Sequence, residues 1–465
     1  MISKSLAIDV LNIGLSTGAD FAEIYYEEVN SSSVMVENGK TENAGIVQTT
    51  GVGIRLLNKL RSVYGYTNDI SKKGLIELAN RLAQSFNDKR IITVNKIERV
   101  HVKNLSKLEK PLSEVSKEEK IALLKKADKV MGDYDKRIVR RQSGISDYKK
   151  IVQIINSKGK EYRDSKERGR LFTMCVASED GKIETGFSGP GASKGFEFFT
   201  KDIDVEAIAK DTARTAIVML SAKDCPSGKM PVILGNGFGG VIFHEACGHS
   251  LEGTSVSKHL SVFSDSLGKQ IASPLVTAID DGTIPNGWGS NNIDDEGHPT
   301  QKTILIKDGI CTNFLLDDMT GRRINMVGNG ACRRQSYAYE PTSRMSNTYI
   351  ANGTSTKDEI IKSTKLGLYA ASLGGGQVSP ATGEFNFACN EAYIVRDGKI
   401  CEPVKGATLI GRGDEVLLHI DMIANDLERA QGVCGSASGN IPVDVGQPTL
   451  RVSEMTVGGT GGELK

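Results

Sequence analysis

The sequence predicts an α+β fold, in which an N-terminal α/β domain with antiparallel strands and helices precedes a β-rich C-terminal domain carrying an HExxxH helix. A chain of 465 residues is too long for one ordinary core, so two or three domains are expected. The first half mixes helical periodicity with alternating stretches, whereas the second half has short apolar runs between Gly turns. The segment 225–228, Cys-Pro-Ser-Gly, predicts a boundary between domains at 1–225 and 226–465.

The N-terminal domain is predicted to begin with a helix over residues 4–16, because apolar residues recur there on one face. Alternating stretches that predict strands follow it, with hairpin turns expected at 37–40 and 58–59. These stretches cover residues 21–28, 33–38, 45–56 and 61–67.

Two capped helices and a second set of strands complete this domain. Ser71 is predicted to cap a helix that runs to about residue 86. Ser116 and Glu119 form a capping box for a helix that ends near residue 131. Strands are expected across 138–200, and a helix at about 204–221 closes the domain.

The C-terminal domain is predicted to be largely antiparallel. An apolar run at 232–234 and a Gly-rich turn at 235–240 lead into the HExxxH helix. Beyond residue 270, Asp-Gly pairs lie between apolar runs and predict turns, and one helix is expected at 356–366. The Asp-Gly pairs are at 281–282, 308–309 and 397–398.

Composition excludes several classes of protein. Lys and Arg number 58 against 57 Asp and Glu, so nothing points to nucleic acid or to an acidic membrane surface as a partner. The eight cysteines include no C-x-x-C pair, which argues against a disulfide scaffold or a zinc ribbon and favours reduced thiols in the cytoplasm. The N-terminus does not resemble a signal peptide, and no apolar run is long enough to cross a bilayer. A cytoplasmic protein is therefore expected.

The run 244–249, His-Glu-Ala-Cys-Gly-His, is the main candidate for chemistry. A His-Glu pair with a second His one turn later is typical of zinc-binding helices, but the usual spacing is four residues, not five. On a regular helix, five residues put His244 and His249 roughly 140° apart. A π-bulge, favoured by Gly248, would absorb the extra residue. The alternative is a pair of hydrogen-bonded core histidines with no metal.

A catalytic zinc site usually has three protein ligands and one open position. The candidates for the third ligand are distributed along the chain, and among them small neighbours favour Cys434, because they let a thiolate approach a metal closely. The candidates are Cys247, Glu252, His298, His419 and Cys434. Glu245 adjoins the first histidine and is the candidate base, which would take a proton from zinc-activated water and return it to a leaving amine.

The motif and several further blocks together resemble the TldD/PmbA family of metalloproteases. The blocks follow in one order along the second half of the chain: HEACGHSLEG (244–253), DDGTIPNGWGSNNIDDEGHPTQ (280–301), RRQSY (333–337), RMSNTY (344–349), GGGQVSP (374–380), EAYIVRDGKI (391–400), VKGATLIG (404–411) and GVCGSASGNIPVDVGQPTLRV (432–452). The resemblance implies a zinc metallopeptidase with His244, His249 and Cys434 as ligands and Glu245 as catalytic base. It also implies small or unfolded peptides as substrates, and either a homodimer or a heterodimer with a PmbA-type paralogue.

Two other functions are consistent with the residues. A non-catalytic zinc-containing scaffold subunit would have a closed, four-coordinate site, with Cys247 or Glu252 as the fourth ligand. A thiol-dependent hydrolase would use Cys247 or Cys434 with a histidine, but no orienting group for it is evident in the sequence. The sequence assigns no role to Trp288 or His298.

Overall fold

The structure is a computed structural model that describes residues 1–379 and 381–464, apart from the side chains of residues 43 and 44. Residue 380 of the GGGQVSP block and the last residue of the predicted C-terminal domain lie outside the described residues. Strands make up 43% of the chain and helices 24%, so the predicted α+β class is confirmed. In the described part of the chain, no helix is long and apolar enough to cross a membrane.

The first 220 residues form one sheet with helices packed on it. The helices are α1 (Lys4–Gly14), α2 (Lys72–Ala83), α3 (Lys117–Tyr134) and α4 (Val205–Leu220). The strands are β1 (Phe21–Glu37), β2 (Lys40–Asn58), β3 (Arg61–Thr67), β4 (Glu98–Arg99), β5 (Ile138–Asn156), β6 (Lys160–Glu179), β7 (Lys182–Ser188) and β8 (Gly191–Ala192).

This first sheet has the order β3-β2-β1-β5-β6-β4, and β7 and β8 pair with β6. Neighbouring strands in this sheet are antiparallel, except that β4 is parallel to β6. The predicted hairpin turn at 37–40 is present, with Asn38 and Gly39 both at positive φ. The prediction of two short strands at 21–28 and 33–38 was wrong, because one strand runs through the polar residues between them. That strand, β1, pairs along its length with β2 on one side and β5 on the other.

The helices begin where the sequence predicts caps. Ser71 accepts from the backbone N–H of Gly74, and Ser116 with Glu119 makes the capping box of α3. Helices α1 and α2 cover one apolar cluster of the sheet, and α3 and α4 cover another. The first predicted helix is slightly shorter than expected, since α1 gives way to a 3-10 turn at Leu15–Thr17.

The remaining residues contain more strand than helix. The helices are α5 (Val241–Phe243), α6 (Gly253–Val256), α7 (Asp318–Ile324), α8 (Lys357–Ser363) and α9 (Gly413–Val416). The strands are β9 (Lys223–Asp224), β10 (Gly228–Leu234), β11 (Ala278–Asp281), β12 (Lys302–Lys307), β13 (Ile310–Cys311), β14 (Cys332–Arg333), β15 (Thr342–Ser343), β16 (Asn347–Ile350), β17 (Leu366–Val378), β18 (Glu384–Arg396), β19 (Lys399–Lys405), β20 (Thr408–Arg412), β21 (Ile420–Ile423), β22 (Glu428–Ser436), β23 (Gly439–Gln447) and β24 (Leu450–Gly458).

Two larger sheets enclose the main core of this half. One has the order β17-β10-β24-β20-β18-β19-β9, with β21 beside β24, and the other has the order β13-β12-β11-β16-β23-β22. Most pairings are antiparallel, as predicted, but β10–β17, β16–β23 and β9–β19 are parallel. The apolar face of the HExxxH helix lies in the core between the sheets. Strand β22 is at the edge of its sheet.

The Asp-Gly turns at 308–309 and 397–398 are confirmed, whereas the turn predicted at 281–282 does not form a hairpin. Strand β11 ends at Asp281, and an irregular segment follows until β12 begins at residue 302. The segment packs on the first sheet: Asn286 donates to the backbone of Ser193, and Arg168 donates to the backbone of Trp288. The chain does turn at residues 282–283, but these contacts hold the long segment that follows, so β11 and β12 are not joined by a short hairpin.

Candidate metal centre

The HExxxH segment forms a short, deformed helix. After β10, a 3-10 turn at Gly237–Gly240 leads through α5 into a π-helix at His244–Gly248 and a 3-10 turn at His249–Leu251. The predicted π-bulge is therefore present, and it absorbs the fifth residue between the two histidines. The imidazole centroids lie 5.1 Å apart with their planes at 84°. Both rings consequently face one point instead of diverging around the helix.

Gly248 has a second reason to be glycine. A Cβ atom built there would lie 2.1 Å from Sδ of Met345. The loop before β16 therefore packs directly on the backbone of the π-helix. Any larger side chain at this position would push the helix and the loop apart.

Cys434 completes a cluster with the two histidines. It lies on β22, and its Sγ is 3.1 Å from Nε2 of His249. The ligand atoms of His244, His249 and Cys434 all lie within 4.8 Å of one another, and all three residues are buried. The structure thus brings together, from positions far apart in the sequence, the three residues predicted as ligands.

Each imidazole is oriented by a partner on its other ring nitrogen. Oε2 of Glu252 is 3.0 Å from Nδ1 of His249, and Oε1 of Glu252 accepts from the backbone N–H of Met345. Nδ1 of His244 is 3.3 Å from the hydroxyl of Thr348, which in turn contacts Asp280. Such partners fix the orientation of histidines that bind metals.

Arg344 supports Cys434 through hydrogen bonds. Its fully buried guanidinium donates to both the backbone oxygen and Sγ of Cys434. It also donates to the hydroxyl of Ser438 and the backbone of Gly439, in the turn between β22 and β23. This arginine therefore fixes the hairpin that carries the thiol.

The electrostatics favour an ionised thiol. Burial opposes ionisation of Cys434, but His244 and His249 outweigh it and lower the pKa of the thiol to about 3. Burial likewise opposes the charge on His249, yet Glu252 and Cys434 raise the pKa of this imidazole well above its ordinary value. The surroundings of Cys434 therefore favour its thiolate, the form that binds metal ions.

Glu245 points toward the cluster but is more exposed than the other members. Its side chain is 24% exposed, and one of its carboxylate oxygens lies 3.6 Å from Nε2 of His249. The carboxylate consequently reaches the solvent-facing side of the site. A base that exchanges protons with water requires such a position.

The remaining candidate ligands lie elsewhere. Cys247 is fully buried in the main core, where its Sγ faces the backbone of Gly413. His419 is exposed in another part of the structure. His298 contacts Asp318 and, with Glu296, forms a separate cluster of ligand atoms.

That second cluster has the character of an ion-pair network. Glu296 accepts a hydrogen bond from Arg55 at 2.5 Å, and Lys158 lies 3.5 Å from Asp318. Cationic side chains thus already occupy the carboxylates that a metal ion would need.

Trp288, for which the sequence suggested no role, donates from Nε1 to the backbone of Gly432, on the strand of Cys434.

Sequence reasoning missed the residues that support the ligands. Arg344 and Thr348 both belong to the RMSNTY block, and Asp280 begins the DDGTIP block. The sequence identifies these polar runs only as blocks of the resemblance, without a role for each residue. A run of polar residues between apolar strands was the available signal that they are buried around a site.

Family models and known relatives both match most of this chain. Family models described as PmbA/TldA metallopeptidase domain 1, central domain and C-terminal domain match residues 22–85, 110–220 and 227–459. The chain is 38% identical to the Metalloprotease TldD homolog of Haemophilus influenzae, over 99% of this chain and 97% of that protein. It is 30% identical to a Metalloprotease of Methanothermobacter thermautotrophicus, over 95% and 96% of the two chains.

Solved structures share the fold at low sequence identity. A Thermotoga maritima protein described as a candidate modulator of a DNA gyrase superposes with a TM-score of 0.80 at 21% identity, covering 98% of this chain and 100% of that one. TldE from Thermococcus kodakarensis has a TM-score of 0.78 at 18% identity, covering 97% and 99%. At these identities the likeness concerns the fold.

Proposed function

This chain belongs to the PmbA/TldD family of metallopeptidases, and from that premise we propose that it is a zinc-dependent peptidase acting on small or unfolded peptides. The observation that carries the proposal is the convergence of His244, His249 and Cys434 within 4.8 Å, beside the carboxylate of Glu245. Two imidazoles and a thiolate are a donor set that suits zinc.

The fit of a metal ion is supported by an unsatisfied atom. Nε2 of His244 is buried and has no hydrogen-bond partner among the described residues. A buried polar nitrogen without a partner is costly, and a ligand normally satisfies it. Nδ1 of the same ring contacts Thr348, so Nε2 is the atom left to bind the ion.

The number of donors favours a catalytic site over a structural one. Within the described residues, the cluster contains three ligands, because Cys247 lies in the core and Glu252 contacts Nδ1 of His249. A structural zinc site usually has four protein ligands, whereas a catalytic site keeps one position open. The scaffold alternative therefore has no observation in its favour.

Each residue around the proposed zinc site has a separate role in hydrolysis. Zinc at this site would supply Lewis acidity, which lowers the pKa of water to about 7. Glu245 would take a proton from the water that attacks the scissile carbonyl and would return it to the nitrogen of the leaving amine. Glu252 keeps the ring of His249 in place, and Arg344 keeps Cys434 in place.

We extend the proposal to organisation and assembly. The chain would comprise domains at 1–225 and 226–465, and it would act in the cytoplasm as a homodimer or as a heterodimer with a PmbA-type paralogue. No nucleic acid and no membrane would be required. The near balance of 58 basic and 57 acidic residues supports the absence of such partners.

Metal analysis of three proteins tests the site. We expect about one zinc per wild-type chain, little zinc in Cys434→Ala, and full zinc in the matched control Cys247→Ala. Hydrolysis of an unfolded peptide should follow the zinc content. A wild type that contains no zinc after purification without chelators, or a Cys247→Ala variant that loses it, would overturn the proposed site.

A further inference from the structure

A cavity of about 360 Å³ lies beside the metal centre, between the first sheet and the segments that carry the site. This size falls within the range of ligand pockets. Strands β1, β2, β5 and β6 form one wall, and the opposite wall comes from the loops at 288–295 and 333–336 and from the hairpin of β22 and β23. The cavity is not lined by the two histidines or by Glu245.

The lining carries an excess of positive charge. It contains two acidic side chains, Glu27 and Asp295, and five basic side chains. The basic side chains are Lys150, Lys166, Arg168, Arg333 and Arg334.

Two of the five cations have carboxylate partners. Lys150 lies 2.8 Å from Glu27, and Arg334 lies 2.8 Å from Glu23. No carboxylate of the described residues lies within 4.0 Å of the charged nitrogens of Lys166, Arg168 or Arg333. Three cations in the cavity wall thus have no described carboxylate in direct contact, although Asp295 acts on Lys166 and Arg333 from a longer distance.

These three cations donate to neutral oxygens instead. Nζ of Lys166 and Nη2 of Arg168 share one acceptor, Oδ1 of Asn291, at 2.7 and 3.1 Å. Arg333 donates to the backbone oxygens of Met345 and Pro442. Because buried charges are usually paired, a neutral amide oxygen between two cations points to a missing anion.

The ionisation of Lys166 is consistent with this view. Burial, together with the neighbouring charge of Arg168, lowers the pKa of Lys166 to about 8, although Asp295 and Asp164 oppose the shift. A carboxylate beside this ammonium would raise the pKa of Lys166 again. Lys166 is also the most adaptable member, since its flexible stem carries three donors, one of which contacts Asn291.

The cavity and the metal centre share one hairpin. Val433, which lines the cavity and is 59% exposed, immediately precedes Cys434, and Ile441 of the lining is the cross-strand partner of Cys434. Arg333 contacts the backbone of Met345, the residue that packs on the π-helix. The cavity and the candidate metal centre therefore share structural elements, and a peptide long enough to span both would place in the cavity a group that neighbours its scissile bond.

We propose that this cavity binds a carboxylate of the peptide substrate, through Lys166 and Arg168. The proposal rests on the peptidase function proposed above and defines the substrate class of that site. A carboxylate matches the donors of lysine and arginine geometrically and electrostatically. It can be the C-terminal carboxylate of the peptide or the side chain of an Asp or Glu residue.

Peptide binding, measured separately from hydrolysis, tests the inference. Zinc-loaded Glu245→Gln protein is titrated with a fluorescent peptide containing one Glu, with its C-terminal amide, and with the Glu→Gln peptide. We expect one of the two neutralised peptides to bind about tenfold more weakly, the effect of losing a hydrogen bond between charged groups. Loss with the amide identifies the C-terminal carboxylate, and loss with the Gln peptide identifies the side chain.

The lysine is then tested in the same assay. Lys166→Met should abolish the preference for the carboxylate, and Lys166→Arg should restore most of it. The matched control is Lys129→Met, at an exposed lysine paired with Asp133 on α3, which should leave the preference unchanged. In otherwise wild-type enzyme, Lys166→Met should raise KM with little change in kcat.

The outcomes separate this inference from the proposed function. Equal binding of all three peptides, or no binding of any of them, overturns the carboxylate site whatever the hydrolytic activity. A preference that survives in Lys166→Met while the protein remains folded also overturns it. Absence of zinc or of hydrolysis in the wild type concerns the peptidase proposal, because the binding assay does not depend on turnover.

Discussion

Nη2 of Arg344 donates two hydrogen bonds to Cys434, one to its backbone oxygen at 2.7 Å and one to its Sγ at 3.1 Å. The same guanidinium lies 3.8 Å from Glu252, the carboxylate that contacts His249. One buried guanidinium therefore lies close both to Cys434 and to Glu252, the partner of His249, in the candidate metal centre. The two halves of the site are coupled through it.

Replacing this arginine should damage stability and metal binding together. Arg344→Met leaves Glu252 buried without its cation, so we expect a loss of about 3–5 kcal/mol in the free energy of unfolding. Zinc affinity should fall about 10- to 100-fold, as when support behind a ligand is removed. Urea unfolding and competition with a chelator measure the two effects. Arg412→Met, at an exposed pair with Asp414, should cost at most about 1 kcal/mol; equal losses in both variants would contradict the coupling.

Glu245→Gln should separate chemistry from metal binding. The substitution removes the proposed base but none of the three proposed ligands, so zinc content should stay at the wild-type level while kcat falls about 100- to 10,000-fold. Metal analysis and peptide hydrolysis on the same preparation test this. If zinc is lost with the carboxylate, Glu245 is a ligand and the assignment of the base is wrong.

Gly248→Ala should destabilise the protein through Met345. Because the added Cβ would lie 2.1 Å from Sδ, the packed loop or the π-helix must move, at a cost of about 1–3 kcal/mol. Zinc affinity should weaken as His249 shifts. Gly375→Ala, where an added Cβ meets nothing within 4 Å, is the matched control and should change stability by less than about 0.5 kcal/mol.

A double-mutant cycle tests whether the contact with Met345 causes this loss of stability. Met345→Ala removes the obstructing sulfur, so Gly248→Ala should cost less in that background than in the wild type. Thermal or urea unfolding of the four proteins gives the coupling energy. Additive losses would show that the penalty at position 248 comes from the helix itself and not from the contact with Met345.

His298 should make stability depend on pH. Its hydrogen bond to Asp318 outweighs burial and, with Asp294, raises the pKa of the imidazole to about 9. A pKa raised by folding stabilises the native state fully below the ordinary value of 6.5, and this contribution disappears as pH rises through 9. The stability difference between wild type and His298→Gln should therefore be largest near pH 6.5 and shrink above pH 9.

Urea unfolding across this pH range measures the difference. His101→Gln, at an exposed histidine, serves as the control and should show no such trend. A difference that grows toward alkaline pH would mean that His298 is neutral in the folded protein at pH 7 and that the ion pair does not contribute.

Short-range features of the fold were predictable from the sequence. The cap at Ser71 and the capping box of Ser116 and Glu119 form because their signals act within one turn of helix. The π-bulge was predictable for a similar reason, since a five-residue spacing between ligands on one helix has few geometric solutions. In each case the residues that decide the structure are close together in the sequence.

Long-range features were not predictable in the same way. The Asp-Gly pair at 281–282 has the same local signal as the two that form short hairpins, but packing of the following segment on the first sheet leads to a long connection instead. Residues alone favoured Cys434 over other ligands without excluding them, because distance in space is set by strand order. Arg344 has no periodic or motif signal, and its position between Cys434 and Glu252 depends on three separate segments.

The position of Cys434 has a consequence for the newly made protein. His249 and Cys434 are 185 residues apart, and translation proceeds at about 5–20 residues per second, so roughly 10 to 40 s separate their synthesis. During that interval the nascent chain has the glutamate and both imidazoles but lacks the thiolate and the hairpin that holds it. A peptidase built in this order would have no complete metal site until Cys434 is made, and so it could not cleave its own nascent chain before that point.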